Sequence, residues 1–177
     1  MYMFADPIKN LKQLGLREDM IVADLGAGTG FYSIAAAKMV PNGKVYAIEV
    51  IKDYLITIKN KAKEFHINNL ECFWGDIEKL GGTKLKDGIV DAVILSNILS
   101  QIEDKSGLVL EVKRILKQNG KVLVVDWSES SALGPKPDKI ILKDKVVEIF
   151  AKKGLTFNRD IDAGSHHYGI VLTNKKI

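Results

Sequence analysis

The chain predicts an α/β fold built on a doubly wound, mostly parallel sheet that closes with a C-terminal antiparallel hairpin strand. Three observations carry this expectation. Apolar, strand-like runs alternate with amphipathic, helix-like segments along most of the 177 residues. A turn with glycine at alternate positions, Gly26-Ala27-Gly28-Thr29-Gly30, follows directly on the first apolar run. The run from Val90 to Ser96 is almost continuously apolar, as a central parallel strand covered on both faces requires.

Each element has a local reason. Asp6-Pro7 ahead of Ile8, Leu11 and Leu14 predicts a short helix ended by Gly15, with proline preset for the first helical position. Met20 to Leu25 is the first strand. Ile34 through Met39, with Ala35, Ala36 and Ala37, predicts a helix lying close to the sheet and stopped by Pro41 and Gly43. Lys44 to Val50 is the second strand, and Leu55, Ile58, Ala62 and Phe65 recur at helical spacing after it. Glu71 to Trp74 is a short third strand, and Lys79 to Gly88, with Gly81-Gly82 and lysines, a surface loop. After the strand at Val90 to Ser96, Leu108, Val112, Ile115 and Leu116 predict a helix closed by Asn119-Gly120. Lys121 to Trp127 is the fifth strand and Ser128 to Asp138 the longest irregular loop. A last helix over Lys143 to Lys153 stops at Gly154, and Leu155 to Ile161 with His167 to Thr173 form the hairpin.

A chain of this length can bury one full core, so residues 1–177 are expected to form a single domain, with 1–19 as an N-terminal lid and helix segment. No apolar stretch is long enough to cross a bilayer and the start is unlike a signal peptide, which predicts a soluble, cytoplasmic protein with no membrane partner. Cys72 is the only cysteine, excluding an internal disulfide and a multi-thiol metal site, and no metal is expected. The net charge of +4 permits a nucleic-acid partner, but the 26 lysines and arginines are dispersed along the sequence.

The glycine turn is the most specific feature. A strand must reverse into a helix while its backbone comes within contact distance of a ligand, and residues without a Cβ allow both. A dinucleotide fingerprint places its third glycine three residues after the second, where this chain has Phe31. Glu49 follows Gly30 by 19 residues, close to the spacing at which an acidic side chain at the end of a second strand receives the ribose hydroxyls of an adenosine. The plainer alternatives are tight helix-sheet packing for the turn, a solvated carboxylate for Glu49 and a helix cap for Asp76.

Asp24 to Gly30, followed by Val45-Tyr46-Ala47-Ile48-Glu49, resembles the first two motifs of class I S-adenosylmethionine-dependent methyltransferases. Gly75-Asp76-Ile77 resembles the third motif, Val90 to Asn97 the fourth, and Asn119 to Asp126 the strand that follows; within the family the chain is most similar to the small type 11 group. The resemblance implies a Rossmann-like, seven-stranded fold and S-adenosyl-L-methionine as cofactor. It implies that Asp24, Gly26, Ala27, Gly28 and Gly30 face the methionyl part, that Glu49 faces the ribose with Val50 also in the cofactor site, and that Asp76 and Ile77 hold the adenine. Ser96 and Asn97 line the methyl channel on the same reading.

A base is needed only if the acceptor holds a proton, and the catalytic residues stay unassigned. The candidates are Asp126 at the end of the fifth strand, His166 or His167, and Tyr168; neighbouring residues of a strand face opposite ways, so at most one histidine faces a site from the sheet. Tyr2, Phe4 and Tyr32 are candidates to fold over the cofactor. The chain has Ser96-Asn97-Ile98-Leu99 where amino-methylating enzymes carry Asn/Asp-Pro-Pro-aromatic, and Leu99-Ser100 where many type 11 relatives carry Leu-His. The first reading of the acceptor is a small organic molecule, with RNA or protein second. A non-catalytic cofactor-binding or scaffolding subunit is the alternative, and a nicotinamide-binding oxidoreductase is disfavoured by the glycine spacing.

Overall fold

The computed structural model describes residues 5–128 and 134–175. Tyr2, Phe4 and positions 129–133 of the loop expected after the fifth strand lie outside the described residues. The strands are β1 (Ile21–Leu25), β2 (Lys44–Glu49), β3 (Leu70–Trp74), β4 (Val90–Ser96), β5 (Leu116–Trp127), β6 (Leu155–Ile161) and β7 (His167–Asn174). They form one sheet in the order β3-β2-β1-β4-β5-β7-β6. Among the described strands β7 alone runs opposite to the rest, entering between β5 and β6 as the returning arm of the terminal hairpin. The chain winds outward from β1 to β3 and then restarts at β4 on the other side of β1, so the strand order reverses between β1 and β4.

Alternate residues of each central strand serve opposite layers. Val22, Ile94, Val125 and Val171 pack with Leu11 and Leu14 of α1 (Pro7–Leu14) and with Tyr32, Ala36 and Ala37 of α2 (Phe31–Met39). Their neighbours Ala23, Val93, Val124 and Leu172 pack with Leu108, Val112 and Ile115 of α4 (Lys105–Ile115) and with Val146 and Phe150 of α5 (Lys143–Ala151). Ile58 of α3 (Lys52–Glu64) packs with Ala27 and Ala47 beyond the glycine turn. The near-continuous apolar strands are thus covered twice, as a parallel sheet demands. At the first helix, Asp6 accepts from the amides of Ile8 and Lys9, and Gly15 closes the end at φ 77°. No helix among the described residues is long and apolar enough to cross a membrane.

Two segments differ from the sequence expectation. Helix α4 stops at Ile115, and Leu116, expected inside it, is extended at φ −82°, ψ 129°. Leu116 pairs with Val90, after which the register jumps to Ala92 opposite Lys121; the surplus residues, including Asn119 at φ 62°, form a bulge. The loop from Lys79 to Gly88 is also no free surface excursion. Glu111 on α4 is wholly buried and accepts from the amides of Gly81 (2.7 Å) and Thr83 (3.0 Å). The Arg114 guanidinium bonds Glu111 (2.7 Å), Asp87 (2.6 Å) and the Leu85 carbonyl (2.8 Å).

Burial alone raises the Glu111 carboxyl, but Arg114, the Thr83 hydroxyl and the two amides outweigh it and hold its pKa at about 2. A depressed folded-state pKa contributes stability that is present above pH 4.5 and lost as pH falls toward 2. Replacing Glu111 with Ala leaves the amides of Gly81 and Thr83 without their acceptor, strips Arg114 of its buried partner while Asp87 and the Leu85 carbonyl remain, and is expected to cost about 3 kcal/mol in urea unfolding. The variant should also lose part of the acid sensitivity of the wild type between pH 4.5 and 2.5; a cost under about 1 kcal/mol contradicts the bracing role.

Candidate functional site

A cleft of about 590 Å³ opens beyond the carboxyl ends of β1, β2 and β4, at the reversal of strand order where open α/β sheets take their ligands. The glycine turn forms its floor. The amides of Gly26 and Ala27 donate to the Ile48 carbonyl at 2.9 and 3.1 Å, stitching the turn to β2. Gly28 sits at φ 52°, and a Cβ built on it meets nothing within 4 Å, so the space in front of its backbone is open. Gly30 differs: it caps α2 at φ 83°, and a Cβ there lies 2.7 Å from Ile58 Cγ1. It does not line the cleft. Gly28 therefore keeps backbone open to a ligand, while Gly30 lets α2 and α3 close on one another.

Two acids converge on this turn. Glu49 is buried at the end of β2; its Oε2 accepts from the Gly28 amide (2.8 Å) and its Oε1 from the amides of Val50 (2.8 Å) and Ile51 (3.0 Å). A carboxylate offers about four lone-pair positions, so three amides leave Oε2 able to accept once more. Asp24, at the end of β1, lines the same cleft and accepts from the Ser33 hydroxyl at 2.5 Å. Burial raises its pKa to about 6, partly offset by Ser33, with the nearby Glu49 charge adding to the rise.

Asp76 and Ile77 follow β3 and complete the adjoining wall. Asp76 accepts from the Glu78 amide at 3.0 Å and pairs with Lys79 at 3.1 Å, so it makes a local turn while facing the cleft. Val50 also lines it and is half exposed. Ser96 and Asn97 close the opposite side. Asn97 takes φ 53°, its amide donates to the Val125 carbonyl (2.9 Å), and its buried Oδ1 has no partner among the described residues. Tyr32 lines the cleft too, its hydroxyl accepting from Asn10 of α1 at 2.7 Å.

The candidate bases separate. Asp126 is buried outside the cleft, with Oδ2 accepting from the Leu99 amide (3.0 Å) and Oδ1 from the Trp127 amide (2.8 Å). Burial raises its pKa, but its oxygens are engaged in holding the 3-10 turn Leu99–Gln101 against β5. His166 does not line the cleft, and the Tyr168 hydroxyl donates to the Ile141 carbonyl at 3.0 Å. His167 does line it, stacked on Trp127 with ring centroids 4.4 Å apart and planes at 34°. Phe31, Ile51, Tyr54 and Trp127 also form the wall and escaped the sequence reading. Phe31 carried the clearest signal, an aromatic opening a helix directly after the glycine turn, and it stands 66% exposed.

Open space before the Gly28 backbone and a spare acceptor position on Glu49 suit an adenosine cofactor with polar groups at several points. The fold and cleft thus define an α/β nucleotide-cofactor-binding domain. A family described as "Methyltransferase domain" matches residues 16–154, and the chain belongs to it, as a class I S-adenosylmethionine-dependent methyltransferase of the type 11-like kind. A solved S-adenosylmethionine-dependent methyltransferase from Aquifex aeolicus superposes with a TM-score of 0.88 at 28% identity, covering 96% of this chain and 90% of that one. Ribosomal protein L11 methyltransferase from Dictyoglomus thermophilum is 32% identical over 145 residues, 78% of this chain and 43% of the relative. Demethylmenaquinone methyltransferase from a Geobacillus species is 26% identical over 125 residues, 70% and 52% of the two chains. The chain spans about half the length of the curated relatives it matches.

The raised pKa of Asp24 has a sign that can be checked without ligand. A carboxyl whose folded pKa lies above its unfolded value contributes stability that is full below about pH 3.8 and lost as pH rises through about 6. Urea midpoints of the wild type should therefore drop between pH 4 and 6.5 relative to those of Asp24→Asn, which cannot ionise; parallel profiles contradict the assignment.

Proposed function

We propose that the protein transfers the methyl group of S-adenosylmethionine to a small-molecule acceptor. The observation that carries this reading is the convergence of Gly28, Asp24, Glu49 and Asp76 on one cleft whose other end is walled by Phe31, Tyr32, Ile98, Ile102 and Trp127. In this assignment Glu49 accepts from a ribose hydroxyl, Asp76 and Ile77 flank the adenine, and Asp24 faces the charged methionyl end across the glycine turn. When bound, the cofactor supplies an electrophilic methyl group on a positively charged sulfur. The task of the chain is placement: aligning the acceptor with that methyl group and excluding water, which favours a step in which charge is neutralised.

The lining supports a small acceptor. No lysine or arginine is among the described residues that line the cleft, whereas a polynucleotide needs cations for its phosphates. The relatives named above are named for demethylmenaquinone and for a ribosomal protein, and the mostly apolar wall favours the former kind of ligand.

Calorimetric titration with S-adenosylmethionine, S-adenosylhomocysteine and NAD tests the reading. The first two should bind and NAD should not; the reverse order of affinities overturns it. Glu49→Ala should weaken S-adenosylhomocysteine binding by about 1 to 3 kcal/mol, the cost of a lost hydrogen bond to a charged group. Affinity should also fall as pH drops through the Asp24 transition at about 6, because the protonated carboxyl no longer attracts the ligand's ammonium group; a flat profile removes Asp24 from the site.

A further inference from the structure

We propose that a second pocket, at the end of the sheet away from the cleft, binds a phosphate-class oxyanion. Its volume is about 220 Å³, and it is lined by Gly15 and Arg17 after α1, by Asp91 near the start of β4, and by Lys117, Asn119 and Lys121 of β5. The cleft lies beyond the carboxyl ends of the strands, whereas Met20 and Asp91 bring the amino ends of β1 and β4 to this pocket. Among the described residues the two share no lining, so the second pocket stands apart from the cofactor site.

Cations that are far apart in the sequence meet here, and their charges do not balance. Asp91 is the one acid in the described lining; its Oδ1 pairs with Lys117 at 2.9 Å and its Oδ2 accepts from the Ile21 amide at 2.8 Å, so it answers Lys117 and no other cation. Arg17 reaches Asp19 at 3.4 Å, but with the two side chains 66% and 71% exposed such a pair contributes little. Lys121 donates to the Leu14 carbonyl at 3.2 Å, and Arg159 of β6 donates to the Gln13 carbonyl at 2.5 Å and to Asn158 at 2.8 Å. These are successive carbonyls at the end of α1, so the two cationic heads are neighbours. Among the described residues neither is paired with a carboxylate.

The carbonyl end of a helix carries roughly half a negative charge, which falls short of the three positive charges of Arg17, Lys121 and Arg159. Burial, and after it the nearby Arg159 and Arg17, lower the Lys121 pKa below the ordinary lysine value, the response of an ammonium that lacks a counter-charge. Like charges gathered at one place repel, and a bound anion offsets the repulsion.

Access and chemistry both suit a phosphate group. A Cβ built on Gly15 would lie 3.6 Å from Lys121 Nζ and meet nothing else within 4 Å, so the space before the ammonium is open. Arg17 and Asn119 are exposed at the rim. Lysine and arginine heads are donors only, which matches a ligand whose oxygens only accept. A phosphate group carries close to two negative charges at neutral pH where a carboxylate carries one, and so meets more of the positive surplus.

The test follows backbone amide shifts of isotope-labelled protein while inorganic phosphate replaces chloride at constant ionic strength. The amides of Gly15, Leu16, Asn119 and Gly120 should move along saturable curves, and that of Gly28 in the cleft should stay in place. Lys121→Met should weaken phosphate binding at least about tenfold, the loss expected for a hydrogen bond to a charged group. Arg17→Gln, an exposed change that leaves the helix end intact, should weaken it about threefold, the effect of one unit charge some 6 Å away in water. Unmoved amides elsewhere show that each variant folds. A second titration with oligothymidylate identifies the source: the same shifts at far lower concentration assign the phosphate to a nucleic acid, and shifts with inorganic phosphate alone assign it to a small phosphorylated molecule. Either outcome supports an oxyanion site. Shifts that appear equally with chloride, that fall on the cleft instead, or that persist with unchanged affinity in Arg17→Gln and Lys121→Met overturn the proposal.

Discussion

The carboxylate of Glu49, buried at the end of β2 and held by the amides of Gly28, Val50 and Ile51, fixes the glycine turn against the neighbouring strand. A turn of glycines has more conformational freedom than other sequences and would not keep one shape by itself. Here the amides of Gly26 and Ala27 are bound by the Ile48 carbonyl and that of Gly28 by the Glu49 side chain, so three successive donors are committed to β2. The backbone facing the cleft is thereby set before any ligand arrives, which lowers the ordering cost of binding.

The same device recurs at two other loops around the cleft. Asp126 holds the turn after β4 through the Leu99 amide, positioning Ile98 and Gln101 on the wall. Glu111 holds the loop after β3 through the amides of Gly81 and Thr83. That loop in turn presses on Asp76, since a Cβ on Gly82 would lie 1.9 Å from the Asp76 carbonyl oxygen. Three buried acids from three elements thus convert connecting segments into rigid rims. Charge-assisted bonds to backbone amides suit the role, being stronger than neutral ones and free of long, mobile partners. Of the three, only Glu49 also faces the cleft.

Much of the architecture was legible because apolar runs, helical spacing and glycine punctuation are local signals. The strands and the returning hairpin follow from them, the place of Glu49 follows from its spacing to the glycine turn, and the positions of Asp24 and Asp76 on the cleft are those the family resemblance implies. What escaped depended on partners distant in sequence. The end of α4 was set by Leu116 pairing with Val90, a competition that helical spacing does not show. The fixed loop after β3 had a readable trace, because Glu111 lies on the same helical stripe as Leu108, Val112 and Ile115, where an acid needs a buried partner. Asp126 and His167 could not be sorted from sequence: the difference between a carboxylate engaged by backbone amides and a buried imidazole with no partner among the described residues arises only when the turn after β4 and the start of β7 meet the end of β5.

The most direct measurement is a crystal structure of the protein with S-adenosylhomocysteine. The account predicts a ribose hydroxyl on Glu49 Oε2, the adenine against Asp76 and Ile77, the amino-acid end over Gly28 beside Asp24, and the thioether sulfur turned toward the Trp127 and His167 side of the cleft. A ligand seated elsewhere, with Glu49 bonded only to its three amides and the space before Gly28 empty, would contradict it.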